Sequence, residues 1–176
     1  MPLRQRVSTL KMSVAGVAAL FAAEGFVTEP MLPNKHDRPT ICYGNTFYAD
    51  GTPVKLSDAP VTKEQCLEMA RIHIEKDEAA FKKAMGNTLL HQTEFDVYLD
   101  FVYQYGMATW NSSSMSRYIK QGNYTGACRA LLAYKKIRVG SGANSYLFDC
   151  STPNNKVCRG VWTRQLERYN TCLSVQ

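Results

Sequence analysis

The sequence predicts an α+β, mainly helical fold in which one long helix joins a small β-ribbon lobe to an all-helical lobe. Three observations carry this expectation. Residues 26–60 hold five prolines and two glycines around short strand-like pieces. Thr62 then opens an amphipathic run that lasts to Gly86, and beyond it several capped runs of helical period follow one another. With 176 residues the chain amounts to one domain, and it buries about 70% of its unfolded surface without needing a metal. The boundaries read as a small lobe over 12–61, a connecting helix over 62–86 and a helical lobe over 87–173.

The N-terminal stretch has two readings. Arg4, Arg6 and Lys11 precede the apolar run Met12–Ala23, as in a secretory signal. The run is shorter than the ~20 residues of a bilayer span, and Phe21 and Leu20 spoil a small-residue cleavage site. A buried stripe of Leu10, Val14, Val17 and Phe21 fits better, so residues 7–24 are expected to form the first helix, ended by Gly25 in a left-handed cap. Membrane contact through this helix is the less favoured reading.

Further along, T-I-C-Y-G and P-V-K-L form a ribbon around Ala49-Asp50-Gly51. Thr62 with Gln65 makes a capping box, and Leu67, Ala70, Ile74, Phe81 and Met85 share one face up to Gly86. That helix would span ~36 Å. Thr93 with Asp96 opens a helix to Tyr105 that is apolar on both sides, as expected in the middle of a bundle. More helices are expected at about 113–121, 124–136 and 160–171.

Lys and Arg outnumber Asp and Glu by 21 to 15, for a charge of +6 and a pI near 9.0. This surplus suits a polyanion such as nucleic acid, acidic lipid or bacterial wall. It is scattered along the chain, which argues against a nucleic-acid site. His36, His73 and His91 lack metalloprotease spacing, and no P-loop or dinucleotide fingerprint is present. No metal or cofactor is expected. The six cysteines read either as reduced buried thiols or as up to three disulfides in an oxidising compartment. They allow ~15 pairings, of which Cys150–Cys158 is the safest local one.

Two carboxylates stand out. Glu24 ends an apolar helix among Ala22, Ala23, Gly25 and Phe26, where desolvation would raise its pKa and suit it to donate a proton. Asp37, in His36-Asp37-Arg38-Pro39, has polar and cationic neighbours that favour its ionised form, and Thr40 is placed to share a water with it. A carboxylic acid and a carboxylate in contrasting environments are what glycoside hydrolysis uses. The bland alternatives are a surface Glu at a helix end and a turn-forming Asp.

E-G-F at 24–26 followed by D-R-P-T-I-C-Y-G-N-T at 37–46 resembles the active-site segment of phage T4-type lysozymes, glycoside hydrolase family 24, written E-G and then D-x-P-T-I-G-[FY]-G-x-T. Gln92, Phe95 and Asp96 resemble the family's Q-x-x-F-D. G-M-A-T-W-N-S-S-S-M, G-N-Y-T-G-A-C and R-G-V-W-T-R-Q-L-E-R-Y-N-T-C-L resemble its later motifs in order and spacing. The resemblance covers about residues 20–173. It implies a lysozyme-like two-lobed fold and an inverting endolysin that cuts the β-1,4 bond between N-acetylmuramic acid and N-acetylglucosamine for host lysis. Lytic transglycosylase and non-catalytic wall binder are the alternatives.

Carried over by residue, Glu24 would be the acid, with Asp37 and Thr40 activating water. The best-known members place their Asp six residues before the Thr. Asn34 holds that position here, and an Asn cannot act as a base. Ser113 and Ser114 match the family's cleft-lining pair and are the implied sugar contacts, with a helix N-cap before Met115 as the other reading of either. Tyr43 is an aromatic available to stack on a sugar ring. Phe101, Tyr105 and Trp110 offer further aromatic faces, although core positions suit Phe101 and Tyr105 better. Arg164 is the implied partner of Glu24, and Gln165 replaces a second Arg. The resemblance also implies the pairs Cys42–Cys66, Cys128–Cys172 and Cys150–Cys158. The expected partner is peptidoglycan glycan in the periplasm, acted on by a monomer made in the host cytoplasm.

Overall fold

The computed structural model describes residues 3–23, 25–33 and 38–176. Glu24, Asn34 and Asp37 therefore lie outside the described residues. A two-residue strand β1 (Gln5–Arg6) pairs antiparallel with β4 (Leu89–Leu90) and holds the N-terminal arm against the helical lobe. Helix α1 follows at Val14–Ala23. Next come the antiparallel strands β2 (Val27–Met31) and β3 (Thr40–Cys42), with Val27 opposite Cys42 and Met31 opposite Thr40. The long helix α2 (Lys63–Met85) leads to α3 (Gln92–Ser112), α4 (Ser114–Lys120) and α5 (Tyr124–Ala130). The hairpin β5 (Lys136–Val139) with β6 (Tyr146–Asp149) precedes the last helix α6 (Arg159–Leu173).

Two apolar clusters organise these elements. The small one joins β3 and the turn after it to the first half of α2 through Ile41, Cys42, Tyr43, Cys66, Met69 and Ala70. The large one centres on the fully buried Trp110, whose ring lies 4.9 Å from Phe81 and 5.2 Å from Tyr98. Leu20 of α1 belongs to the large cluster, so the first helix packs mainly with the helical lobe. Phe21 touches both clusters.

Local signals and tertiary context compete visibly. The Thr62–Gln65 box forms in full: Gln65 N donates to Thr62 Oγ1 at 3.2 Å, and Thr62 N donates to Gln65 Oε1 at 2.8 Å. The expected helix over 7–24 begins only at Val14, because the Asp96 carboxylate accepts from Ser13 N at 2.9 Å and Ser13 Oγ at 2.6 Å. Ser13 Oγ in turn caps Gly16 N at 3.0 Å. Residues 7–9 form a single 3₁₀ turn. Val14 is consequently 88% exposed, and Gly16 and Leu20 replace it on the buried face. A Cβ on Gly16 would stand 2.8 Å from Asp96 Cγ, so this close approach requires glycine. Gly25, where the cap is expected, is exposed with nothing within 4 Å of its Cβ position, and the residue before it lies outside the described residues.

With Asp96 engaged by Ser13, the box expected at Thr93 shifts two residues. His91 caps α3, and its N–H donates to Glu94 Oε2 at 2.8 Å. At Gly106 (φ 78°, ψ 160°) the backbone of α3 leaves the helix, as expected, yet the helix resumes to Ser112. The helix expected over 124–136 ends at Ala130 and gives way to a 3₁₀ turn and the β5–β6 hairpin. P-V-K-L contributes only a bridge between Phe47 and Pro53. All six cysteines are paired as the resemblance implied, Cys42–Cys66, Cys128–Cys172 and Cys150–Cys158. No described helix is long and apolar enough to cross a membrane.

Candidate active site

Helix α1 ends at Ala23, the last described residue before position 24. Ala23 borders a groove of about 600 Å³ whose other wall is Gln104 of α3 and the N-terminal turns of α6, including Gly160 and Arg164. The flanking Ala22, Ala23, Gly25 and Phe26 are all exposed. The residues on either side of position 24 are thus open to water.

The small lobe meets this helix end through one stack. The Tyr43 ring lies 4.3 Å from Phe21 at an interplanar angle of 12°, and 5.2 Å from Phe26. Tyr43 is only 7% exposed. One face of its ring is taken by Phe21, and Tyr43 thereby braces the β2–β3 hairpin against α1. Its carbonyl accepts from Tyr103 Oη at 3.4 Å, which links the hairpin to α3. Thr40 opens β3 half-buried, and among the described residues its hydroxyl makes only a long bond, 3.4 Å, to the Met31 carbonyl. Its hydroxyl keeps acceptor capacity for a water. Cys42, one turn on, has φ 59° and is anchored to Cys66 of α2. The segment carrying Asn34 and Asp37 is the loop between β2 and β3, outside the described residues.

Across the groove, Asp100 of α3 holds two guanidinium groups of α6. Arg164 Nη2 lies 2.6 Å from Oδ1 and Arg168 Nε 2.6 Å from Oδ2. Arg168 also donates to Gln104 Oε1 at 2.7 Å and to the Asp100 carbonyl at 3.1 Å. Burial pulls the Arg168 guanidinium below its usual value while Asp100 pulls it back up. Arg159, Arg164 and Glu167 of α6 all line the groove, so its wall carries charges of both signs. The expected Arg164–Glu24 pair falls outside the described residues. Gln165 is fully buried and donates to Tyr105 Oη at 2.8 Å, which makes it a packing residue.

The remaining expected contacts divide. Ser113 is 4% exposed and its Oγ accepts from Ser116 N at 3.1 Å, so it caps α4 and is withdrawn from any ligand. Ser114 stays half-buried, with Arg117 donating to its hydroxyl at 3.2 Å. Phe101 and Trp110 are fully buried in the core and offer no aromatic face to solvent. Tyr103, Asp100 and Arg168 were not singled out from the sequence. The readable signal was Asp100 and Gln104 on one helix against Arg164 and Arg168 on another, both at i, i+4 spacing. Among the described residues, no three His, Cys, Asp or Glu side chains converge as metal ligands.

The family model for phage lysozyme matches residues 22–147. The chain belongs to the phage lysozyme family. Membership makes it a glycoside hydrolase of the lysozyme type that acts on peptidoglycan, and therefore on the cell wall. Comparison with curated proteins gives no match. Among solved structures, an endolysin from Escherichia coli O157:H7 phage FAHEc1 superposes with TM-score 0.76 at 24% identity over 96% of each chain. A mutant of P22 lysozyme gives 0.69 at 21% identity, over 94% of this chain and 99% of that one. The muramidase domain of SpmX from Asticaccaulis excentricus gives 0.68 at 22%, over 93% and 98%. These likenesses establish the phage lysozyme fold for the whole length of the chain.

Proposed function

We propose that this phage lysozyme family member is an endolysin that cuts the β-1,4 bond between N-acetylmuramic acid and N-acetylglucosamine with inversion, in the host periplasm. Glu24 gives its proton to the glycosidic oxygen. Asp37 takes a proton from a water that Thr40 holds, and that water attacks the anomeric carbon from the opposite face. This geometry needs carboxyl groups ~6.5–9.5 Å apart. The observation that carries the reading is the Phe21–Tyr43 stack, which ties the helix ending at position 24 to the strand that begins with Thr40. Ser114, half-buried at the start of α4, is a sugar contact in this reading.

A monomer suffices, since each named group comes from one chain. The ten-residue α1, tied to Asp96, supports a folded first helix over one lying in a membrane. The test is clearing of permeabilised Gram-negative cells. Glu24→Gln is expected to lose about 10³-fold or more, Asp37→Asn a comparable factor and Asn34→Ala little. Proton NMR of the first product should show the inverted anomer. Equal clearing by wild type and Glu24→Gln would end the reading, and 1,6-anhydro ends would assign a transglycosylase.

A further inference from the structure

The β5–β6 hairpin stands apart from both apolar cores. Among the described residues its two strands pair only with each other. Ile137 lies opposite Phe148 and Val139 opposite Tyr146, and alternation along each strand puts these four on one face. None of them belongs to either apolar cluster. Tyr146 is more than half exposed, and the other three are only half-buried. The opposite face holds Lys136, Arg138 and Asp149, with the exposed Leu147 among them.

Charge is concentrated on the same element. Residues 135–159 hold five cations and one carboxylate, so four of the six net charges of the chain fall here. That carboxylate, Asp149, is already engaged by Lys135 at 3.0 Å. Arg138 donates to Ser145 Oγ at 3.1 Å, and neither it nor Lys136 forms an ion pair among the described residues. At the base, Cys150 N donates to the Lys135 carbonyl at 2.7 Å, and the Cys150–Cys158 disulfide brings the exposed Lys156 and Val157 to that end.

An apolar face backed by unpaired cations is the build of an element that lies in the plane of a bilayer interface. Its apolar side chains enter the headgroup boundary, while Lys and Arg stretch to the surrounding phosphates. The Tyr146 ring, apolar with a polar tip, suits that depth. Nucleic acid would use the cations and leave Ile137, Val139, Tyr146 and Phe148 without a role.

We infer that the β5–β6 hairpin docks this protein on an anionic phospholipid bilayer, with the Tyr146 face entering the headgroup layer and Lys136, Arg138 and Lys156 pairing with lipid phosphates. The docking is independent of the proposed reaction. It holds the chain at a lipid surface through a segment that leads directly to Arg159 in the groove wall.

Co-sedimentation of the full chain with unilamellar vesicles tests this, one set half phosphatidylglycerol and half phosphatidylcholine, the other wholly phosphatidylcholine. At about 0.15 M salt the anionic vesicles are expected to carry the protein down and the zwitterionic ones to leave it in solution. Lys136→Gln combined with Arg138→Gln should weaken binding about 30-fold, and Tyr146→Ser about tenfold. All three positions are exposed, so thermal melts and hydrolysis of purified sacculi, which carry no bilayer, should match wild type. Tyr146→Trp should show blue-shifted emission, above the wild-type background, on the anionic vesicles alone. Binding that ignores lipid charge, undiminished binding by the Lys136 and Arg138 double variant, or unshifted emission from Tyr146→Trp would overturn the inference. Retention on duplex DNA without sedimentation on vesicles would overturn it too.

Discussion

Arg4 and Gln176 meet at 3.0 Å although 172 residues separate them, and both donate to the fully buried carboxylate of Glu94. Arg4 also lies 3.7 Å over the Tyr124 ring. The start and end of the chain are thus fastened to the first turn of α3, where Glu94 also receives the His91 N–H.

Arg4→Ala should therefore destabilise the protein by about 2 kcal/mol. That is less than the ~3–5 kcal/mol for breaking a fully buried pair, because Arg4 is one-quarter exposed. A urea midpoint measures it. Unchanged kcat/KM is expected, since the clasp is remote from the groove. An unaltered midpoint would show that water replaces the guanidinium without penalty.

Asp100→Asn removes the carboxylate between Arg164 and Arg168. The added positive charge beside the groove favours ionised carboxylates nearby. The basic limb of the pH-rate profile, which reports the protonated acid, should move to lower pH by about half a unit, the scale of one partly screened charge. A limb that stays in place while the rate falls uniformly would reduce Asp100 to a packing role.

Cys42 occupies a left-handed backbone position (φ 59°), where the family pattern has Gly. A β-carbon there costs about 1–2 kcal/mol, while the crosslink to Cys66 stabilises by about 3 kcal/mol through the chain it closes. Replacing both cysteines by alanine should expose both effects. The pair Cys42→Gly with Cys66→Ala should be about 1 kcal/mol more stable than Cys42→Ala with Cys66→Ala in thermal melts. The reverse order would mean that the turn relaxes freely.

Asp149 accepts from Ser151 Oγ and Ser151 N and pairs with Lys135 at 3.0 Å, which brings it down to about 2 from an ordinary 3.8. A depressed carboxylate stabilises the folded state above its unfolded pKa, and that contribution fades as pH falls from about 3.8 towards 2. Asp149→Asn should lower protection of the Ser151 amide from hydrogen exchange at pH 7. At pH 2 mutant and wild type should exchange alike.

Where a signal is local, the sequence reading and the structure agree. Thr62 and Gln65 satisfy each other three residues apart, and Gly106 breaks the backbone wherever its neighbours lie. The misplaced start of α1 has a distant cause, because Asp96 reaches back 83 residues to Ser13. The stacking of Tyr43 on Phe21 has the same kind of cause, because the two rings lie on different elements. The β5–β6 hairpin escaped notice because I-R-V and Y-L-F flank a six-residue loop with no Asn-Gly or Asp-Gly turn. Of the site, Glu24, Asp37 and Thr40 came from resemblance reinforced by chemistry, whereas the Asp100 cluster needed tertiary placement.

Because Phe21 is shared by two separate cores, α1 behaves as an axle: its first turn is pinned to Asp96 and its last carries the ribbon. Any rocking of the ribbon about that aromatic bearing would reach α1 at its last turn and leave the mooring of its first turn on Asp96 untouched.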